Sequence, residues 1–356
     1  MKNFYKYLIA IFLIGVITFP TQNVWAGNKD RTGQAGAEEL LINPWSRSSG
    51  WGGANVACVQ GLEGIYNNVA GVAHTAKTEL IVSYTDWISS ADIRLMAFGG
   101  AFRVGESGVF AGSVQSMNFG DIEITTVDDP EGGIGTFSPS YLTINLAYAK
   151  AFSNSIYGGL NLKIINESIA DASAMGVAID AGIQYVTGEK ENIKFGISRN
   201  VGPDMKYKGD GYSLRTTLPS SDNKFTMTQR GAAFELPTQL NIGAAYDFLF
   251  EKSRFSLAFN FASNSFKKDQ FILGAEYSFR DYVVLRAGYA YEEGVTKPIT
   301  DPERTNYDRG FNAGFSVQVP LSKSNESIFA IDYSIRPAAA NDNFKSINSI
   351  GIRFTL

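Results

Sequence analysis

Alternation with a period of two runs from about residue 79 to the last residue, and no other feature restricts the fold as tightly. In 253–263 the apolar set is Phe255, Leu257, Phe259 and Phe261, and the intervening set is Ser256, Ala258, Asn260 and Ala262. Successive side chains of a strand point to opposite faces, so each such segment has one greasy face and one polar or small face. The same division recurs at 141–151, 156–167, 177–185, 240–250, 271–279, 283–291, 311–319, 329–335 and 350–356. With 79–88, 92–103, 108–119 and 192–199 the tally is about fourteen strands, an even number within the range of bacterial outer-membrane barrels.

A soluble sandwich or propeller would alternate too. Many of these runs reach ten residues, however, whereas globular strands average ~5–6 residues and tilted membrane strands need ~9–11. Lys163, Asp180, Glu276, Arg286, Asp332, Arg336 and Arg353 fall on the polar faces. They suit a wet or plugged lumen surrounded by lipid, where they would either bind a solute or pair with a plug. Link lengths separate the two folds better. The links after even-numbered strands are short, at 104–107, 153–154, 188–191, 251–252, 280–281 and 321–326. The three longest, 128–136, 200–233 and 293–308, all follow odd-numbered strands. Short turns at one end and long loops at the other are the habit of a membrane barrel, and a soluble fold has no reason to sort its loops by parity. The expected fold is all-β: an antiparallel transmembrane barrel over 79–356.

Residues 1–26 read as an address. Lys2 and Lys6 form a positive n-region, Leu8 to Phe19 an apolar stretch of twelve residues, and Val24, Trp25 and Ala26 a cleavage site, so export with cleavage after Ala26 is expected. No other stretch approaches eighteen continuous apolar residues, which excludes a helical membrane protein. With 31 Lys+Arg against 35 Asp+Glu the chain has no basic field to attract DNA or RNA. One histidine, His74, and one cysteine, Cys58, exclude intramolecular disulfides and Cys/His zinc sites. His74 lacks any motif joining it to a serine and an acid and reads as a polar residue at the barrel rim. Cys58, amid Val56, Ala57 and Val59, reads as a packed apolar residue. Asp128 to Gly133 reads as a solvated acidic loop. No catalytic residue, metal site or cofactor is expected.

Residues 27–78 do not alternate. They are rich in small residues yet carry Leu40, Leu41, Ile42 and Trp51 to bury, and are expected to fold within the barrel as a plug. The order of Ala35 to Ile42, Arg47 to Ala54 with Arg47, Gly50 and Gly53, and Tyr66 to Gly71 with Asn67, Asn68 and Gly71 resembles the PorV/PorQ family. Further matches sit at Asn118 to Ile122, Glu167 to Asp171 and Val201 to Lys206. Asn68-Val69 stands where the family often has Asn-Pro.

The resemblance implies an outer-membrane barrel of Bacteroidota, related to the FadL fatty-acid transporters, with fourteen strands and an N-terminal plug. It further implies association with the type IX secretion system, where PorV-type proteins cap the lateral opening of a very large translocon barrel and receive folded cargo by its C-terminal sorting domain. The expected partners are therefore outer-membrane lipid, that translocon barrel and sorting-domain cargo. The alternative is a FadL-like transporter of small hydrophobic solutes. The last residues, including Gly351, Phe354 and Leu356, look like the C-terminal signal read by the outer-membrane assembly machinery. Function is expected on the loop 200–233, a long connection without alternation. There Lys206, Lys208, Arg215, Lys224 and Arg230 outnumber Asp204, Asp210 and Asp222, and Tyr207 and Tyr212 add apolar anchors. A lid folded over the barrel mouth is the other reading of that loop.

Overall fold

In the computed structural model, which describes residues 29–217, 223–298, 300–301, 304–305, 309–321, 327–338 and 346–356, fourteen antiparallel strands close into a barrel. The first seven are β1 (Thr78–Ile88), β2 (Ile93–Val104), β3 (Gly108–Asn118), β4 (Ser140–Ala151), β5 (Ile156–Ile169), β6 (Ala172–Thr187) and β7 (Ile193–Val201). The second seven are β8 (Gln239–Leu249), β9 (Ser253–Asn264), β10 (Gln270–Phe279), β11 (Val283–Glu292), β12 (Phe311–Pro320), β13 (Ile328–Arg336) and β14 (Ile347–Thr355). Each strand pairs with its sequence neighbour, and β14 returns to β1 in a register running from Glu79↔Thr355 to Asp86↔Asn348. The segment proposed from sequence as an export signal lies outside the described residues. No described helix is long and apolar enough to cross a membrane.

The barrel is apolar on the outside and polar on the inside. On β9, Leu257 and Phe259 face outward while Ser256, Ala258 and Asn260 are buried. The same inversion runs round the wall, where Phe98 is 56%, Leu160 61% and Leu273 62% exposed, against buried Asn161, Gln184 and Ser316 on inward positions. An exposed apolar belt of this extent is stable only in contact with lipid.

One loop departs from expectation. The segment 200–233 is not structureless: Met205–Gly209 forms a short strand that pairs with Ala172 to Ala174 of β6, and Ser213–Thr217 pairs with Lys224–Thr228 as a hairpin. The reason is a mismatch of strand lengths. β6 has sixteen residues and β7 nine, so the loop end of β6 runs past its partner. Its unpaired backbone N–H and C=O groups need partners, and Met205–Gly209 supplies them.

Within 29–77, the stretch from about residue 37 to 75 lies inside the barrel as short helical turns. Val69–His74 begins at the cap residue Asn68, whose side chain accepts from Ala70 N. Val69 is thus the first helical residue, a position that accepts proline as well as valine because its N–H is not needed inside the turn. The segment buries its apolar residues against the wall in three clusters. Trp45, Leu62, Ile65 and Val72 pack on Ile81 and Val109. Leu40 packs near Ile165, Met205 and Leu236. Trp51, Ala54 and Ala57 pack on small residues of β8 and β9 and on Ile272.

Candidate functional site

The plug is tied together by a polar chain that joins the motif residues Arg47, Ser48 and Asn67 to Asn43, Asn55 and Glu63. Asn43 Nδ2 donates to Asn67 Oδ1 at 3.0 Å, and Asn67 Nδ2 to Asn55 Oδ1 at 2.5 Å. Asn55 Nδ2 donates to Ser48 Oγ at 3.0 Å, and Ser48 to Glu63 at 2.5 Å. Arg47 closes the chain, with Nε 3.3 Å from Glu63 and Nη2 donating to the Gln60 carbonyl at 2.6 Å. Asn68 fastens plug to wall, its Nδ2 donating to the carbonyls of Val56 and Ile183 at 3.0 and 3.1 Å. Glycine does the rest. Gly50 meets the backbone of Gly314, and Gly71 lies against the Val59 carbonyl, approaches that a Cβ would block. Gly53, at φ +89°, holds the left-handed turn before Ala54.

The lumen charges pair chiefly with one another rather than with the plug. Lys163 Nζ lies 2.8 Å from Asp180 and 5.8 Å from the Tyr66 ring of the plug. Glu276 is held from both sides, by Arg286 Nε at 2.7 Å and Arg254 Nη2 at 2.7 Å. Arg286 Nη1 donates to Ser316 at 2.5 Å, Ser316 donates to Asp332, and Arg353 Nε sits 3.5 Å from Asp332. Asp332 thereby joins both arginines into one network spanning β9 to β14. Arg336 is the exception among the seven. As the last residue of β13 it lies at the loop-end mouth over Trp87, donating to Asn312 at 2.8 Å. Sequence reading missed Arg254 and the Lys194–Asp247 pair at 2.6 Å. Both stand near strand ends, where a charge reads as a turn residue.

The plug divides the lumen into two vestibules. At the turn end a cavity of about 270 Å³ is lined by Arg47, Cys58, Lys194, Asp247, Arg254 and Glu276. At the loop end a cavity of about 590 Å³ is lined by plug residues Ala35 to Glu39, Leu41 and Ile42, with Met117, Tyr141, Glu167, Tyr207 and Phe234 from the wall and loop. Glu39 is 4% exposed there. Burial, reinforced by the negative field of Glu167, pushes its carboxyl up to about 8. An acid whose folded value is raised contributes most to stability below its ordinary value of 4.5, and that contribution is lost as pH rises towards 8. Glu39→Gln is therefore expected to match the wild type in melting temperature near pH 4.5 and to exceed it increasingly up to pH 8. Parallel thermal melts in detergent read the difference.

Tyr207 is a correction to the expected partner face. Its hydroxyl donates to Glu167 and its ring packs on Phe234, so it points into the vestibule. The strand pairing with β6 fixes that direction, because adjacent residues must face opposite sides. Lys208 and Arg215 are exposed, and Lys206 and Tyr212 half-buried. His74 is half-buried just inside the turn end of the barrel. It stacks on Tyr157 at 4.1 Å and hydrogen-bonds Gln184 at 3.2 Å, and burial lowers its imidazole to about 4. Burial pushes the Cys58 thiol up to about 12, which suits a packing role. Of the terminal residues, Gly351 faces Ser46 of the plug, whose Oγ would lie 3.2 Å from a Cβ built at that glycine, Phe354 faces outward against Phe329, and Leu356 exchanges backbone hydrogen bonds with Thr78 at 2.8 and 3.1 Å.

The family model described as type IX secretion system protein PorV matches residues 26–264, about two thirds of the chain. No curated protein matches it. Among solved structures, the Ralstonia pickettii toluene transporter TbuX is 10% identical with a TM-score of 0.55, over 88% of this chain and 98% of that one. The P. putida toluene transporter TodX is 12% identical with a TM-score of 0.56, over the same shares. At such identities the likeness shows a common barrel fold.

Proposed function

The chain belongs to the PorV family of type IX secretion system proteins, outer-membrane β-barrels, and from that premise we propose that it works as an adaptor, engaging the translocon barrel or sorting-domain cargo at its loop end. The observation that carries this reading is the state of the lumen. Three apolar clusters, a polar chain and an ion-pair network fill the middle of the barrel between the two vestibules. A barrel filled in this way offers work at its surface rather than through its bore.

The surface available is the hairpin Ser213–Thr217/Lys224–Thr228. It carries exposed Leu214 and Met227 beside Lys208 and Arg215, a mix of apolar and cationic groups suited to a protein partner. Its strands pair with each other and not with the barrel. Replacing residues 213–228 by a short Gly/Ser linker is therefore expected to leave the barrel folded and heat-modifiable while abolishing co-purification of secretion partners and export of cargo. Heat-modifiability on gels, partner recovery and cargo in the culture medium check the three parts. Unchanged recovery and export would move the interaction to the outer wall.

A second reading, passage of a small hydrophobic solute, draws support from the loop-end vestibule with Met117, Phe119 and Tyr141 on its wall, and from the barrel fold shared with the toluene transporters. It requires the plug to move. Solute uptake by plug-locked and unlocked protein would separate the readings.

A further inference from the structure

The loop-end vestibule holds a carboxyl group that no other described residue meets with a hydrogen bond. Both carboxyl oxygens of Glu39 are buried without a hydrogen-bond partner. The residue is not there by slack, because its own carbonyl accepts from Ile42 N at 3.0 Å and from Gln115 Nε2 at 3.4 Å, which fixes the turn. A buried polar group left unmet costs about 1–3 kcal/mol, more when charged, so its retention calls for a use.

The charged groups around it narrow the use. Glu38, on the same turn, is paired with Lys267 at 3.0 Å. Glu167, from β5, accepts from Tyr207 through one oxygen and has the other unpartnered. Tyr141, from β4, lines the same cavity. Arg336, across the mouth, is engaged by Asn312 and Trp87. After this local pairing, Glu39 and Glu167 form an acidic pair with no ion-pair partner among the described residues.

We propose that this vestibule binds a primary ammonium group carried on an apolar body, with Glu39 as the carboxylate that receives the ammonium and Met117, Phe119, Tyr141 and Phe234 enclosing the body. A cavity of about 590 Å³ falls in the ~300–1,000 Å³ range of small-ligand sites. A ligand with a carboxylate head would set a third negative charge beside the pair. A metal ion would want more ligands, and no group of three or more His, Cys, Asp or Glu suited to a metal occurs among the described residues. A Glu39 carboxyl raised to about 8 keeps its proton near neutral pH and releases it to solvent when a cation binds. The ammonium can belong to a small amine or to a lysine side chain of a protein partner. This inference is independent of the adaptor role, and its failure would leave that role untouched.

The test is calorimetric titration of the full-length protein in detergent at pH 7 with phenethylamine, with 2-phenylethanol as the neutral isostere, and with Nα-acetyl-lysine-methylamide. Each is run in two buffers of different ionisation enthalpy. Saturable binding of an amine is expected, with release of up to about one proton. The alcohol is expected to bind at least about tenfold more weakly, because it gains no ion pair with Glu39. Glu39→Gln is expected to lose both the affinity and the proton release while remaining heat-modifiable. Binding of phenethylamine assigns a small amine, and binding of the lysine derivative alone assigns a protein side chain. Binding of neither, equal binding of the alcohol, or undiminished binding to Glu39→Gln would overturn the proposal.

Discussion

Gly288→Ala is expected to unseat the plug while leaving the barrel wall intact. A Cβ built at Gly288 would lie 2.1 Å from the carbonyl oxygen and 2.4 Å from the carbonyl carbon of Trp51. Both are backbone atoms of a segment that is itself packed, so neither can swing aside as a side-chain end would. Gly288 sits mid-strand on β11, opposite Gly274 of β10, which also lies against Trp51. Displacing Trp51 would disturb the third cluster, with Ala54, Ala57 and Ile272. Overpacking of this kind costs about 1–3 kcal/mol. The readout is limited proteolysis of the folded barrel, with residues 29–77 cut far faster in the variant than in the wild type. Gly112→Ala is the control, because its Cβ would meet nothing closer than 3.5 Å. Equal protection of the plug in the Gly288 and Gly112 variants would show that the close approach does not hold it.

A larger loss is expected from breaking the ion network in the wall. In Arg286→Ala, Glu276 keeps only the half-exposed Arg254, and Ser316 loses the donor that links it to Asp332. Removing one partner of a buried pair costs about 3–5 kcal/mol, because the remaining charge stays desolvated. Replacing the pair together, as Glu276→Gln with Arg286→Met, removes both charges and should recover most of that loss. Denaturant midpoints of the refolded protein in lipid vesicles measure both. If Arg286→Ala were no worse than the double variant, the network would be a set of solvated charges rather than a buried device.

The fourteen strands were legible because lipid on one side and a polar lumen on the other enforce the period of two throughout. Leu257 and Phe259 can point nowhere but outward once Ser256 and Asn260 point in. Positions whose role depends on a distant segment were not legible. Nothing near Gly288 in the chain indicates that the Trp51 carbonyl will press on it. Glu39 lies in a Glu-Glu-Leu-Leu run that looks like the solvated start of a helix, and only closure of the barrel over the plug buries it. The strand at Met205–Gly209 escaped because it answers a mismatch between β6 and β7 that exists only once both have folded. Tyr207 read as an anchor for a partner because aromatic residues in loops usually are, and it turned inward with that strand.

The adaptor reading is tested most directly by what accompanies the native protein out of the membrane. Affinity-tagged protein is solubilised gently from outer membranes with complexes intact, and its companions are identified by mass spectrometry alongside extraction of bound small molecules. Recovery of a very large barrel protein or of proteins carrying C-terminal sorting domains, reduced when residues 213–228 are replaced, is the expected result. Recovery of the barrel alone, with hydrophobic solute bound and no protein partner, would contradict it.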